Sequence, residues 1–254
     1  MPIASRLPDG RRAGGWRRTA ALAVGMGLAL AGCGRRISVL FIGNSYTHWH
    51  DMPVLVAALS EAAGHAPRID TAMVTVGGAS LGVLHDRPLV RGKFASRRWT
   101  YVVLQEQSLL PLENRSAMFE AAKAFDGEIK ASGARTVLYS TWARLEQPEA
   151  QEELNSAYRD LGRELDGIVA PVGEAWRRAL EGRPGLRLHE DDGSHPNATG
   201  AYLTACVFYS VLSGRSGEGL PGRVPGWAET SPPNDETAHA LQRVAWETVQ
   251  KEAP

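Results

Sequence analysis

Two short tracts of this 254-residue chain hold residue types that can perform nucleophilic catalysis: Gly43-Asn44-Ser45 and Asp192-Gly193-Ser194-His195. A serine hydroxyl is a weak nucleophile until an adjacent base takes its proton. Histidine can do this near neutral pH. A carboxylate on the other ring nitrogen fixes the tautomer and stabilises the imidazolium. An aspartate three residues before the histidine, on a tight glycine-containing loop, can fold back to reach that nitrogen. Ser45, His195 and Asp192 are therefore expected to act as nucleophile, base and orienting acid. Each tract alone has a plainer reading. Gly-Asn-Ser is commonly a turn, and Asp-Gly-Ser-His can cap a helix beginning at Pro196. Their joint occurrence favours catalysis, provided the fold brings them to one edge.

The elements that must do so alternate. Strands are expected at Ile37–Gly43, Ile69–Val76, Tyr101–Leu104, Thr136–Thr141 and Gly167–Val172. These short, β-branched, apolar runs suit strands buried on both faces. Helical spacing covers Asp51–Ala63, about Arg115–Lys130, Glu149–Leu165, Glu174–Leu180, and a stretch from Pro196 to about Leu212. Such alternation implies an α/β fold, with a central parallel sheet of about five strands between two helical layers. Ligands of these sheets bind at the carboxyl ends of the strands. Ser45 follows the first strand, Gly78 the second and Gln107 the third, and His195 precedes the last large helix of the domain. The Gly-, Pro- and Ser-rich stretch 214–234 reads as a linker or extended surface segment, and 235–254 as a C-terminal helix.

Other candidates have weaker support. Gly78-Ala79-Ser80-Leu81-Gly82 matches the Gly-x-Ser-x-Gly nucleophile elbow, but Pro88 follows soon after and that choice leaves Gly43-Asn44-Ser45 unexplained. His48 and His50 could suggest a metal, yet no cysteine or carboxylate–histidine cluster accompanies them. Neither a metal nor an organic cofactor is expected. Tyr46, Trp49 and Trp142 could shape a pocket or simply be packed. Glu106 reads as an exposed loop carboxylate. A nucleotide-binding module would need a longer phosphate-cradling loop than Gly77-Gly78-Ala79-Ser80.

Over residues 37 to 213 the chain resembles the SGNH (GDSL-like) hydrolases, in a branch typified by Phe-Ile-Gly-Asn-Ser-Tyr-Thr near the start. The resemblance implies a three-layer, flavodoxin-like fold and a serine esterase working through an acyl-enzyme. The first family block, usually Gly-Asp-Ser, is Gly43-Asn44-Ser45 here. The second centres on Gly78, whose backbone N–H would join that of Ser45 in an oxyanion hole. The third, usually Gly-x-Asn-Asp, falls on Gln105-Glu106-Gln107-Ser108 and aligns Gln107 with the asparagine donor. The last, Asp-x-x-His, is Asp192 to His195. Asn44 and the third block depart from the pattern. They leave open a rival reading, an envelope lipoprotein that keeps the fold and binds a glycan or protein partner.

Residues 1–32 read as an export signal. Five arginines precede an apolar run, Ala20–Ala31, too short to span a bilayer. Leu30-Ala31-Gly32-Cys33 resembles the bacterial lipobox, which implies lipidation at Cys33 and a membrane-anchored location in the cell envelope; an ordinary secretory signal is the alternative. Without those 32 residues the formal charge of zero becomes −4, from 23 basic and 27 acidic residues. No long basic run remains, which excludes a nucleic-acid partner on charge grounds. Cys206 is the one other cysteine, so no disulfide framework can form. Exported esters, such as acetyl groups on glycans, are the expected substrates.

Overall fold

The structure, a computed structural model, describes residues 36–65 and 67–252. The export signal and Cys33 lie outside the described residues. Five parallel strands form the central sheet: β1 (Arg36–Gly43), β2 (Arg68–Thr75), β3 (Tyr101–Leu104), β4 (Arg135–Tyr139) and β5 (Ile168–Ala170), in the order β2-β1-β3-β4-β5. Between β1 and β2 lie α1 (Ser45–His48), a single 3₁₀ turn (Trp49–Asp51) and α2 (Met52–Ala62). Then come α3 (Leu81–His85) and α4 (Pro88–Ala95) before β3, and α5 (Leu110–Glu113) and α6 (Arg115–Ala131) before β4. The chain continues with α7 (Gln151–Leu165), and after β5 with α8 (Val172–Gly182), α9 (Ala198–Ser213) and α10 (Asp235–Glu252). Among the described residues no helix is long and apolar enough to cross a membrane.

The pleat of the strands divides the core in two, because successive side chains point to opposite faces. Val39 and Phe41 of β1, Val103 of β3 and Tyr139 of β4 pack with residues of α2, α8, α9 and α10. Leu40 and Ile42, Val102 and Leu104, and Leu138 face the other way, onto α3, α4, α6 and α7. The result is the three-layer α/β/α architecture expected from the alternation. The helix α9 is buried almost all round, as its continuous apolar sequence requires. Cys206 sits within it as a buried free thiol, which burial pushes up from its ordinary pKa.

Segment 214–234 is more than the linker its composition suggests. It contains no helix or strand, but Val224 and Trp227 are buried in the α2/α9 core. The buried Gln242 of α10 stitches it down, donating to the Tyr202 hydroxyl and the Leu220 carbonyl and accepting from the Gly219 N–H. The described residues, 36–65 and 67–252, belong to one compact unit. The physical reason is area: α9 is apolar on the side that α10 and this segment cover. The stretch 81–95 forms two short helices on either side of Asp86 and Arg87, the second opening at Pro88.

Candidate active site

The sheet order places β1 between β2 and β3, so the chain runs from β1 to one side for β2 and to the other for β3. The crevice at their carboxyl ends is therefore a topological switch point. Ser45 stands at that point as the first residue of α1. Asn44 caps the helix, its side-chain oxygen accepting from the Tyr46 N–H at 3.1 Å. The Ser45 N–H, at the first helical position, has no intrahelical acceptor.

His195 arrives from the opposite direction on a narrow hairpin. Glu190 donates its N–H to the His195 carbonyl at 2.8 Å, and Asn197 donates to Leu188 at 2.8 Å. The turn between them needs Gly193 at φ +66. Asp192 folds back as the spacing implied. Its Oδ1 accepts from the N–H groups of Ser194 and His195 at 2.9 Å each, and its Oδ2 lies 2.5 Å from His195 Nδ1. His195 Nε2 is 2.8 Å from Ser45 Oγ. Desolvation pushes the Asp192 carboxyl up, but the His195 ring and the two backbone donors outweigh it and hold the pKa down to about 2. The three residues thus form one hydrogen-bonded line across 150 residues of sequence.

Aromatic side chains fix the two halves against each other. The Tyr46 hydroxyl is 2.7 Å from Ser194 Oγ, and Trp142 donates its indole N–H to the Ser194 carbonyl at 3.0 Å. Tyr46, Trp142 and Trp176 stack in sequence, with centroids 4.5 and 3.9 Å apart. The sequence flagged Tyr46 and Trp142 but not Ser194, whose partners come from two distant segments.

The third block also braces the loops around Ser45. Gln105, fully buried, accepts from the Asn44 N–H at 2.8 Å and the Thr47 hydroxyl at 2.9 Å. Asn44 in turn donates its amide to the Ala79 carbonyl at 3.0 Å. Glu106 is a correction to the sequence reading: it is fully buried, not exposed. Its Oε1 accepts from the N–H groups of Leu81 and Gln107, while its Oε2 is buried without a partner. Burial raises its pKa, against the pull of those two N–H groups. Glu106 thereby ties the loop after β2 to the loop after β3. Alternation of polar and apolar residues gave no hint of this, since a carboxylate seldom enters a core.

Gly78 and Gln107 make no direct bond to Ser45, but both belong to this network. Gly78 occupies the turn after β2 at φ +67, next to the Ala79 that Asn44 binds. The Gln107 Oε1 accepts from the N–H groups of Leu109 and Leu110 at 2.8 and 2.9 Å, which fixes the orientation of the amide. Ser80, the serine of the elbow-like tract, instead caps α3, its hydroxyl oxygen accepting from the Val83 N–H. His50 lies between Glu229 and Glu190. Among the described residues no three His, Cys, Asp or Glu side chains are grouped to hold a metal ion.

No family model matches the sequence, and no curated protein gives a significant match. Solved structures do. A Bacteroides uniformis protein of the DUF4886 family has a TM-score of 0.67 at 19% identity, over 85% of this chain and 95% of its own. A Slackia heliotrinireducens protein assigned as an SGNH hydrolase has a TM-score of 0.61 at 23% identity, over 70% of this chain and 100% of its own. An acetyl xylan esterase, AlAXEase, follows with a TM-score of 0.57 at 15% identity, over 69% of this chain and 100% of its own. The chain therefore has the α/β/α fold of the SGNH (GDSL-like) hydrolases.

Proposed function

We propose that this protein is a serine hydrolase that cleaves carboxylic esters by two acyl transfers. One observation carries the reading: the line from Ser45 Oγ through His195 to Asp192, with contacts of 2.8 and 2.5 Å. Ser45 Oγ attacks the ester carbonyl carbon while His195 Nε2 takes its proton. The carbonyl π electrons move to oxygen, and that oxyanion is received by the N–H groups of Ser45 and Gly78 and the amide nitrogen of Gln107. As the tetrahedral intermediate collapses, the C–O bond to the alcohol breaks and His195 returns the proton to it. Water then repeats the sequence on the acyl-enzyme, releasing acid and free Ser45. None of these steps calls for a metal or organic cofactor.

For substrate we propose an acetylated glycan outside the cytoplasm. The support is the lipobox-like Leu30-Ala31-Gly32-Cys33, with lipid attachment at Cys33 in the cell envelope, and the acetyl xylan esterase among the proteins sharing the fold. Hydrolysis of p-nitrophenyl acetate and longer acyl esters by the full chain, beside Ser45→Ala, tests the reading. Serine-dependent turnover that falls as the acyl chain lengthens is the expected result; equal turnover by a folded Ser45→Ala variant contradicts it. Incorporation of a labelled fatty acid that Cys33→Ala abolishes tests the anchor.

A further inference from the structure

The His195 ring is not held by its two hydrogen bonds alone. The Trp49 indole lies flat against it, centroids 4.2 Å apart and planes 14° from parallel, and the Tyr46 ring meets it edgewise at 5.7 Å. Trp49 opens the 3₁₀ turn whose other two residues, His50 and Asp51, hold left-handed backbone at φ 53 and 49. Neither is glycine. Residues with a Cβ keep such a conformation only where the surroundings over-determine it.

The surroundings do so through three contacts from segments remote in sequence. His50 Nδ1 lies 2.6 Å from Glu229 Oε2, and His50 Nε2 lies 3.2 Å from Glu190 Oε1. The His50 carbonyl accepts the Trp227 indole N–H at 2.7 Å. Glu229 is itself held, its other oxygen accepting from the N–H groups of Thr230 and Ser231. Glu190 is the residue whose N–H bonds the His195 carbonyl. The clamp therefore joins the strained turn, the catalytic hairpin and the segment 227–231.

We propose that Trp49 is a positioning residue for His195, and that His50, Glu229 and Trp227 form the clamp that keeps Trp49 in place. Rotation of the imidazole would break its contact with Ser45 or Asp192, and the flat indole closes one side of that rotation. The same π face favours the imidazolium that forms when His195 takes the Ser45 proton. The strain at His50 and Asp51 is the local cost of directing Trp49 at the ring. The geometry stands by itself; its meaning for catalysis rests on the serine hydrolase reading.

The test is proton NMR of the full chain, observing the His195 Nδ1–H that bonds Asp192, beside the rate at which a fluorophosphonate labels Ser45. The wild type is expected to show this proton as a distinct downfield resonance. Trp49→Ala should broaden or abolish it and slow labelling about 10-fold or more. Trp49→Phe should restore the resonance and bring labelling within about 3-fold of wild type. Glu229→Gln, which does not touch His195, should weaken both in the same direction. A wild type without the resonance, or a Trp49→Ala variant with wild-type resonance and labelling, overturns the proposal. So does loss in Trp49→Phe equal to that in Trp49→Ala, which would mark mere packing. A resonance that depends on Trp49 in a protein whose Ser45 never labels upholds the positioning and sinks the hydrolase reading instead.

Discussion

Asp192 and Asn44 show how single residues shape the proposed site. The folded pKa of Asp192, about 2, lies below its ordinary 3.8. Its ionised form therefore stabilises the folded chain above pH 3.8, and that contribution is lost as pH falls from 3.8 towards 2. The carboxylate is half exposed, so solvent screening keeps the contribution small. Urea unfolding between pH 2 and 6 should show a shallower acid limb in Asp192→Asn than in wild type. The same substitution should lower kcat roughly 10⁴-fold by presenting the wrong tautomer of His195. Asn44, the apparent departure from Gly-Asp-Ser, has a physical reason here, because its amide donates to the Ala79 carbonyl. An ionised aspartate has no proton to give. Asn44→Asp should cost about 1–3 kcal/mol in denaturant unfolding, the penalty of an unmet buried carbonyl. The line of Ser45, His195 and Asp192 was legible because its residue types and the local Asp-x-x-His spacing point to that geometry. Ser194 and Glu106 were not, because their roles depend on partners that sequence distance hides.

The elements succeed by close approach at their ends. Gly43 ends β1 where a Cβ would come within 2.4 Å of Gln105 Oε1 and 2.6 Å of Thr47 Oγ1. The glycine therefore lets the β3 loop brace the start of α1. Gly43→Ala should displace Gln105, lower stability by about 1–3 kcal/mol in urea and reduce esterase turnover with it. The five strands and the larger helices could be read because their apolar runs and 3.6-residue spacing are local properties. Strand ends were harder. The run Thr136–Thr141 reads as one strand, but β4 stops at Tyr139 and Ser140 turns to bond Ala170 and Gly173. The short helices α3 and α4 escaped notice because each is too brief for its periodicity to stand out.

At the scale of the whole molecule, the segment 214–234 joins the core to the hairpin that carries His195. Composition alone marked it as a linker, since Gly, Pro and Ser signal turns without saying what the intervening Val224 and Trp227 will pack against. Trp227 is 7% exposed and its indole N–H is spent on the His50 carbonyl. Trp227→Ala should lose about 3–5 kcal/mol in urea unfolding, as a large aromatic removed from a core. A free linker would lose almost nothing. The parallel three-layer fold itself was readable from alternation, whereas the closure of α10 over α9 depended on which apolar faces remained uncovered once the sheet was built.

The central claim is that His195, oriented by Asp192, activates Ser45. Treating the full chain with a fluorophosphonate and locating the adduct by peptide mass spectrometry tests it most directly. One adduct on Ser45, absent in Ser45→Ala and at least about 10²-fold slower in His195→Ala, is the predicted result. A folded wild-type protein with no adduct, or with its adduct on Ser80, would contradict it.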